Sequence, residues 1–219
     1  MVDPGGDMRG ADVRALPFWS GLVYVLVLLL GLVLGVERNS MNRPVVTQEG
    51  GLLRALAGLS LLALSAGLAA FVRRIEQLDE APHQSTSGMS SLVLAAGAAA
   101  ATLELAAGAL FMRERSTTEL GLVLSCASSM ALAAVPLVAA FPLLRVGRQA
   151  SASALLGFVA APALFARGAG GLYQTRVAYG LAPLIEPLRG VSMVLGGLFA
   201  LWVIVTILVV RKTELHALG

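Results

Sequence analysis

Six stretches of this chain are each long and apolar enough to cross a bilayer as a helix, and each is bracketed by charge. Crossing the hydrocarbon core takes about 20 mainly apolar residues. Leu16–Val36, Leu52–Val72, Ser90–Met112, Leu120–Leu144, Ala152–Leu172 and Gly190–Val210 meet that requirement. Arg14, Glu37, Arg54, Arg73, Arg113, Arg145, Arg189 and Arg211 mark their ends. Membrane β-strands would instead run for about 10 residues with alternating polarity, a pattern this sequence lacks. The expected fold is therefore all-α, a polytopic membrane helix bundle of about six transmembrane helices forming a single transmembrane domain over residues 1–219.

Composition agrees. Hydrophobic residues make up 57% of the 219 and charged residues 13%, against about 25% charged in soluble domains. A domain of this size leaves roughly 30% of its unfolded surface exposed. So apolar a chain must turn that surface to lipid, its first partner. The first apolar run is too long for a signal-peptide core, and Val36-Glu37-Arg38 is a poor cleavage context, so it reads as a retained helix. Trp19 is placed to anchor it at the interface.

Several function classes find no support. The 16 basic residues are scattered in pairs between apolar runs, whereas nucleic-acid binding needs them clustered on one face. A single cysteine, Cys126, can form neither an intramolecular disulfide nor a thiolate metal site. His83 and His216 fall in a linker and near the C-terminus, without metal-ligand spacing. No cofactor motif, phosphate loop or catalytic constellation stands out, which argues against an enzyme.

Orientation is balanced on a raw count. Arg9, Arg14, Arg73, Arg74, Arg145, Arg148, Arg211 and Lys212 fall on the side of the N-terminus. Arg38, Arg43, Arg54, Arg113, Arg115, Arg167, Arg176 and Arg189 fall on the other. Arg54 and Arg167 lie inside their spans, whereas Arg73-Arg74, Arg145/Arg148 and Arg211-Lys212 abut span ends, where the positive-inside bias acts. The expectation is a multi-pass protein of a bacterial inner or plasma membrane with both termini cytoplasmic. Short connections make spans three to five antiparallel neighbours. The longer linker Tyr173–Arg189 reads as interfacial or re-entrant, and Pro162 with Gly168, Gly170 and Gly171 predicts an irregular span five.

An ionisable residue inside the membrane costs about 2.5–3.5 kcal/mol or more and needs a reason. Glu104, well inside span three, is the clearest case. Arg167 approaches the same membrane face from span five, so a Glu104–Arg167 pair is geometrically available. Ser128 and Ser129 of span four and Ser60 of span two reach a similar depth. These five residues are the candidate site. They fit a proton-linked or ion-binding site of a transporter or channel, since intramembrane carboxylates often mark pathways. They fit equally a packing device in a non-catalytic subunit that scaffolds a larger complex. A second copy of the chain or other membrane subunits are candidate partners.

Span three is rich in alanine and glycine, and small residues let backbones approach closely. It is expected to be central, with Leu-rich span one at the periphery. Ala63/Gly67 and Ala66/Ala70 offer a matching face on span two.

Overall fold

A computed structural model describes residues 19–30, 36–38, 44–78, 88–113, 119–145, 148–177 and 185–216. The described chain forms helix α1 (Trp19–Leu30), a short hairpin of β1 (Val36–Arg38) and β2 (Pro44–Val46), then α2 (Gln48–Leu78), α3 (Met89–Arg113), α4 (Glu119–Leu132), α5 (Ala134–Arg145), α6 (Arg148–Val177) and α7 (Ile185–His216). Five helical segments, with α4 and α5 together spanning Leu120–Arg145, are long and apolar enough to cross a membrane, and α1 is a shorter apolar helix. The fold is a membrane helix bundle. Exposed Leu26, Leu29, Leu59, Leu62, Leu155, Val159, Phe165 and Leu208 form its lipid-facing surface.

Expected spans two, three, five and six fall inside observed helices, span four is divided between α4 and α5, and of span one α1 covers Trp19–Leu30. Val36, placed at the end of span one, pairs with Val46 in the antiparallel hairpin. Glu37 and Arg38 close the apolar run there, and Pro44, which has no N–H to give, takes the first position of β2. The linker Tyr173–Arg189 is mostly helical: α6 runs on to Val177 and α7 begins at Ile185. Pro187 does not prevent this, because the first four N–H groups of a helix have no intrahelical partner to lose. Tyr179 and Leu181, the centre of the expected interfacial segment, lie outside the described residues.

Helices α2 and α3 make the most extensive helix–helix contact among the described elements, and glycine explains it. A Cβ on Gly51 would stand 2.9 Å from the Gly108 carbonyl oxygen, and one on Gly58 2.9 Å from that of Ala101. A Cβ on Gly108 would meet the Gly51 carbonyl oxygen at 2.7 Å and the Ala55 nitrogen at 2.8 Å. Gly97 makes room for Ser65. The small residues of α2 recur every seven positions, at 51, 58 and 65, and so return to one face of the helix. These carry the contact with α3; of the other small residues on α2, Gly67 is buried and Ala70 exposed.

Helix α3 packs against α2, α4 and α5. Its buried face is Val93, Gly97, Ala100, Ala101, Ala107, Gly108 and Phe111, whereas Ala95, Ala99, Thr102, Ala106 and Ala109 are exposed. Helix α2 is the more enclosed span, at 56% of its apolar window against 33% for α3. The small residues of α3 therefore divide between a packed face and an open one. Helix α1 is peripheral as expected, resting on α7 through Gly21 against Val203 and Ile207 and Tyr24 edge-on to Phe199.

The irregular span is the fourth, not the fifth. The chain turns at Ala133 between α4 and α5, three residues before Pro136, whose ring leaves the Leu132 carbonyl without its helical donor. The Ala133 N–H is shared between Ser129 O at 3.2 Å and Met130 O at 3.3 Å. Helix α6 stays continuous through Pro162. Its glycines serve packing: a Cβ on Gly168 would stand 2.6 Å from Cys126 O, and one on Gly171 2.5 Å from Cys126 Sγ. Antiparallel packing of spans three to five is observed, with α3 against α4 and α5, and both of those against α6.

Glu76, in the last turn of α2, reaches across to the next helix. Its carboxylate accepts the Met89 N–H at 2.9 Å, the Ser90 N–H at 3.3 Å and the Ser90 hydroxyl at 2.8 Å. Those are unpaired donors of the first turn of α3, where a negative charge is favoured.

Candidate functional site

The α2–α3 register sets Arg54 opposite Glu104. Arg54 lies one turn beyond Gly51 on α2, and Glu104 one turn before Gly108 on α3. Their side chains form an ion pair with Nη1 3.0 Å from Oε1. The same Nη1 donates to the Ser125 hydroxyl on α4, and the guanidinium carbon lies 5.3 Å from the centre of the Phe111 ring, within cation–π range. One cation thus ties three helices together. The pair is not sealed: the Arg54 side chain keeps 29% of its accessible surface and Glu104 17%.

Glu104 therefore takes Arg54, not Arg167, as its ion-pair partner. The depth of Glu104 was readable from sequence, but depth alone does not choose between two arginines on the same membrane face. The close α2–α3 contact does, because it brings α2 nearer to α3 than α6 comes. The heptad spacing of Gly51, Gly58 and Ser65 was the available signal.

Arg167 approaches the same region from α6. Its guanidinium lies over Gly196 of α7, where a Cβ would stand 2.7 Å from Nη1 and 3.4 Å from Cζ. Among the described residues no carboxylate pairs with it. Tyr24 of α1 and Cys126 of α4 each lie within electrostatic reach of Arg54, Glu104 and Arg167 together. Helices α1, α2, α3, α4 and α6 thus contribute polar groups to one region, and α7 contributes Gly196 as a floor. Sequence reasoning missed Arg54 as a partner, together with Tyr24 and Cys126.

The serines divide. Ser128 donates across the helix interface to the Ala100 carbonyl at 2.8 Å, one turn from Glu104, and fastens α4 to α3. Ser129 donates to Ser125 O of its own helix at 3.2 Å. Ser60 donates to Ala57 O, again its own helix, at 3.0 Å. The last two are satisfied locally and bring nothing to the ion pair. Among the described residues no group of three or more His, Cys, Asp or Glu side chains could hold a metal.

Comparison with protein-family profiles, curated proteins and solved structures finds no match.

Proposed function

We propose that this chain is a small membrane transporter or channel whose polar site is the Arg54–Glu104 pair, with Ser125 beside it and Arg167, Tyr24 and Cys126 around it. The supporting observation is the ion pair itself, formed inside the bundle from two spans and left partly exposed. A charge in the membrane interior is costly. A pair meant only to fasten helices gains nothing from retaining accessible surface, whereas a site that exchanges ions with water requires it. By the arginine distribution at the span ends, both termini face the cytoplasm of a bacterial cell.

Flux into proteoliposomes tests this. Under imposed gradients of protons, sodium and small anions, the wild type should dissipate at least one. Glu104→Gln, which preserves shape, should abolish that flux while still folding. Flux unchanged in Glu104→Gln would remove the carboxylate from the mechanism, and no wild-type flux under any gradient would end the transport reading.

A scaffold role is the second reading, and one observation favours it. The exposed face of α3 carries Ala95, Ala99, Thr102, Ala106 and Ala109 at alternating spacings of four and three residues. Such a stripe suits close approach by another membrane helix. Retention of an intact larger complex that disperses on Ala106→Leu would support it.

A further inference from the structure

Among the described residues the charges at the centre of the bundle do not cancel. Arg54 and Arg167 bring two positive charges and Glu104 one negative, and among the described residues these are the charges that act on Tyr24 and Cys126 from the surrounding helices. One guanidinium is spent on Glu104. The other, Arg167, has no carboxylate partner among the described residues, yet an arginine always carries its charge.

Its direction matters as much as its charge. A long basic side chain near a helix end ordinarily reaches toward the nearer membrane surface. Arg167 does the reverse. Side chains lean toward the N-terminus of their helix, which in α6 is the direction of the membrane centre. On the α6–α7 interface Ser153 meets Thr206 and Gly157 meets Trp202. That register sets Gly196 opposite Ala163, one turn deeper than Arg167. Gly196 is where the guanidinium rests. A headgroup phosphate at the surface lies on the wrong side of it. A larger residue at 196 would push the guanidinium away, so the glycine acts as its cradle.

We propose that Arg167, cradled by Gly196, binds a small water-borne monoanion, a carboxylate being the best match. A single negative charge neutralises the surplus, and the planar guanidinium fork fits a carboxylate with two parallel hydrogen bonds. Glu104 repels the anion and Arg54 offsets that repulsion. The inference names a ligand class for the transport site proposed above, but binding does not require that transport occur.

The test is thermal unfolding of the purified chain in non-ionic detergent, with sodium acetate replacing sodium HEPES, whose bulky sulfonate presents no carboxylate, at fixed sodium concentration. Wild type should be stabilised by roughly 3–6 °C at tenfold excess over Kd, rising with the logarithm of acetate concentration as a single site requires. Arg167→Gln should bind acetate about tenfold or more weakly, as expected for loss of a charge-assisted hydrogen bond. Arg167→Lys keeps the charge but not the fork and should fall between. Gly196→Ala removes no charge but displaces the guanidinium and should weaken acetate binding as well, which keeps the test valid if Arg167→Gln fails to fold. Glu104→Gln should bind acetate more tightly than wild type. Absence of this acetate effect in wild type, or an equal effect in Arg167→Gln, overturns the proposal. So does an Arg167-dependent shift caused by adding phosphatidylglycerol to phosphatidylcholine nanodiscs when acetate gives none, because the ligand would then be a lipid headgroup. Acetate binding without flux keeps the anion site and sinks only the transport reading.

Discussion

Ser153 and Thr206 meet between α6 and α7 at 2.5 Å, with 0% and 1% of their surface exposed. Arg54 and Glu104 meet between α2 and α3 at 3.0 Å and keep 29% and 17% of their side-chain surface. Both are polar contacts between neighbouring spans. The first is neutral, closed and mutually satisfying, which is how hydroxyls hold membrane helices together. The second is charged, partly exposed and accompanied by a cation, Arg167, with no carboxylate partner among the described residues. Polarity inside a membrane therefore does not by itself distinguish packing from function. Saturation and charge balance are the criteria on which the two spots differ, and they are what the proposed function rests on.

The largest effect should come from disturbing the register that makes the charged spot. In Gly108→Val the new Cβ would collide with the Gly51 carbonyl and the Ala55 nitrogen. Backbone atoms cannot swing aside as a side chain can. Destabilisation of about 3 kcal/mol, the upper part of the usual overpacking range, should appear as a lowered midpoint in detergent. Little change would mean that α2 and α3 are not in close contact, and the ion pair would lose its basis.

Next comes the pair itself. Arg54→Leu should cost about 2 kcal/mol, less than the 3–5 of a fully buried pair because both side chains remain partly exposed. Adding Glu104→Leu should recover much of that loss. Arg167→Leu, lacking an ion-pair partner to abandon, should cost clearly less than Arg54→Leu. The reverse order would restore Arg167 as the partner of Glu104.

That exchange of partners marks where the sequence stops being informative. Spans two to six could be read to within several residues, because the cost of an unpaired backbone group in lipid forces long apolar helices. The depth of Glu104 followed from counting along its span. Lateral neighbours are another matter: lipid-facing and helix-facing residues are both apolar, so the pattern does not say which face meets which helix. Ala99 and Ala100 look alike in the sequence, yet one is exposed and the other fully buried. Pro136 and Pro162 also read alike, and only the first accompanies a break. What did carry lateral information was the spacing of Gly51, Gly58 and Ser65.

Smaller effects sharpen the neutral side of the comparison. Ser153→Ala leaves the Thr206 hydroxyl without its partner and should cost about 1 kcal/mol. Ser153→Ala with Thr206→Val removes both polar groups and should be nearly neutral. A double variant as damaged as the sum of its parts would show that these hydroxyls hold something besides each other. Ala99→Leu, on the exposed face of α3, should change stability by no more than about 0.5 kcal/mol. A large loss there would show that this face of α3 is packed against a neighbour.

Water access separates the two spots most directly. Glu104→Cys and Ser153→Cys, each in a Cys126→Ser background, can be reconstituted and treated with a membrane-impermeant thiol reagent applied to either face. Only the thiolate reacts, and it forms where water and a neighbouring guanidinium stabilise it. The cysteine at 104, beside Arg54, should label from at least one face, while the cysteine at 153 should stay unlabelled until the protein is unfolded. A cysteine at 104 as inert as the one at 153 would contradict the account, leaving the Arg54–Glu104 pair a fastening and the chain a scaffold.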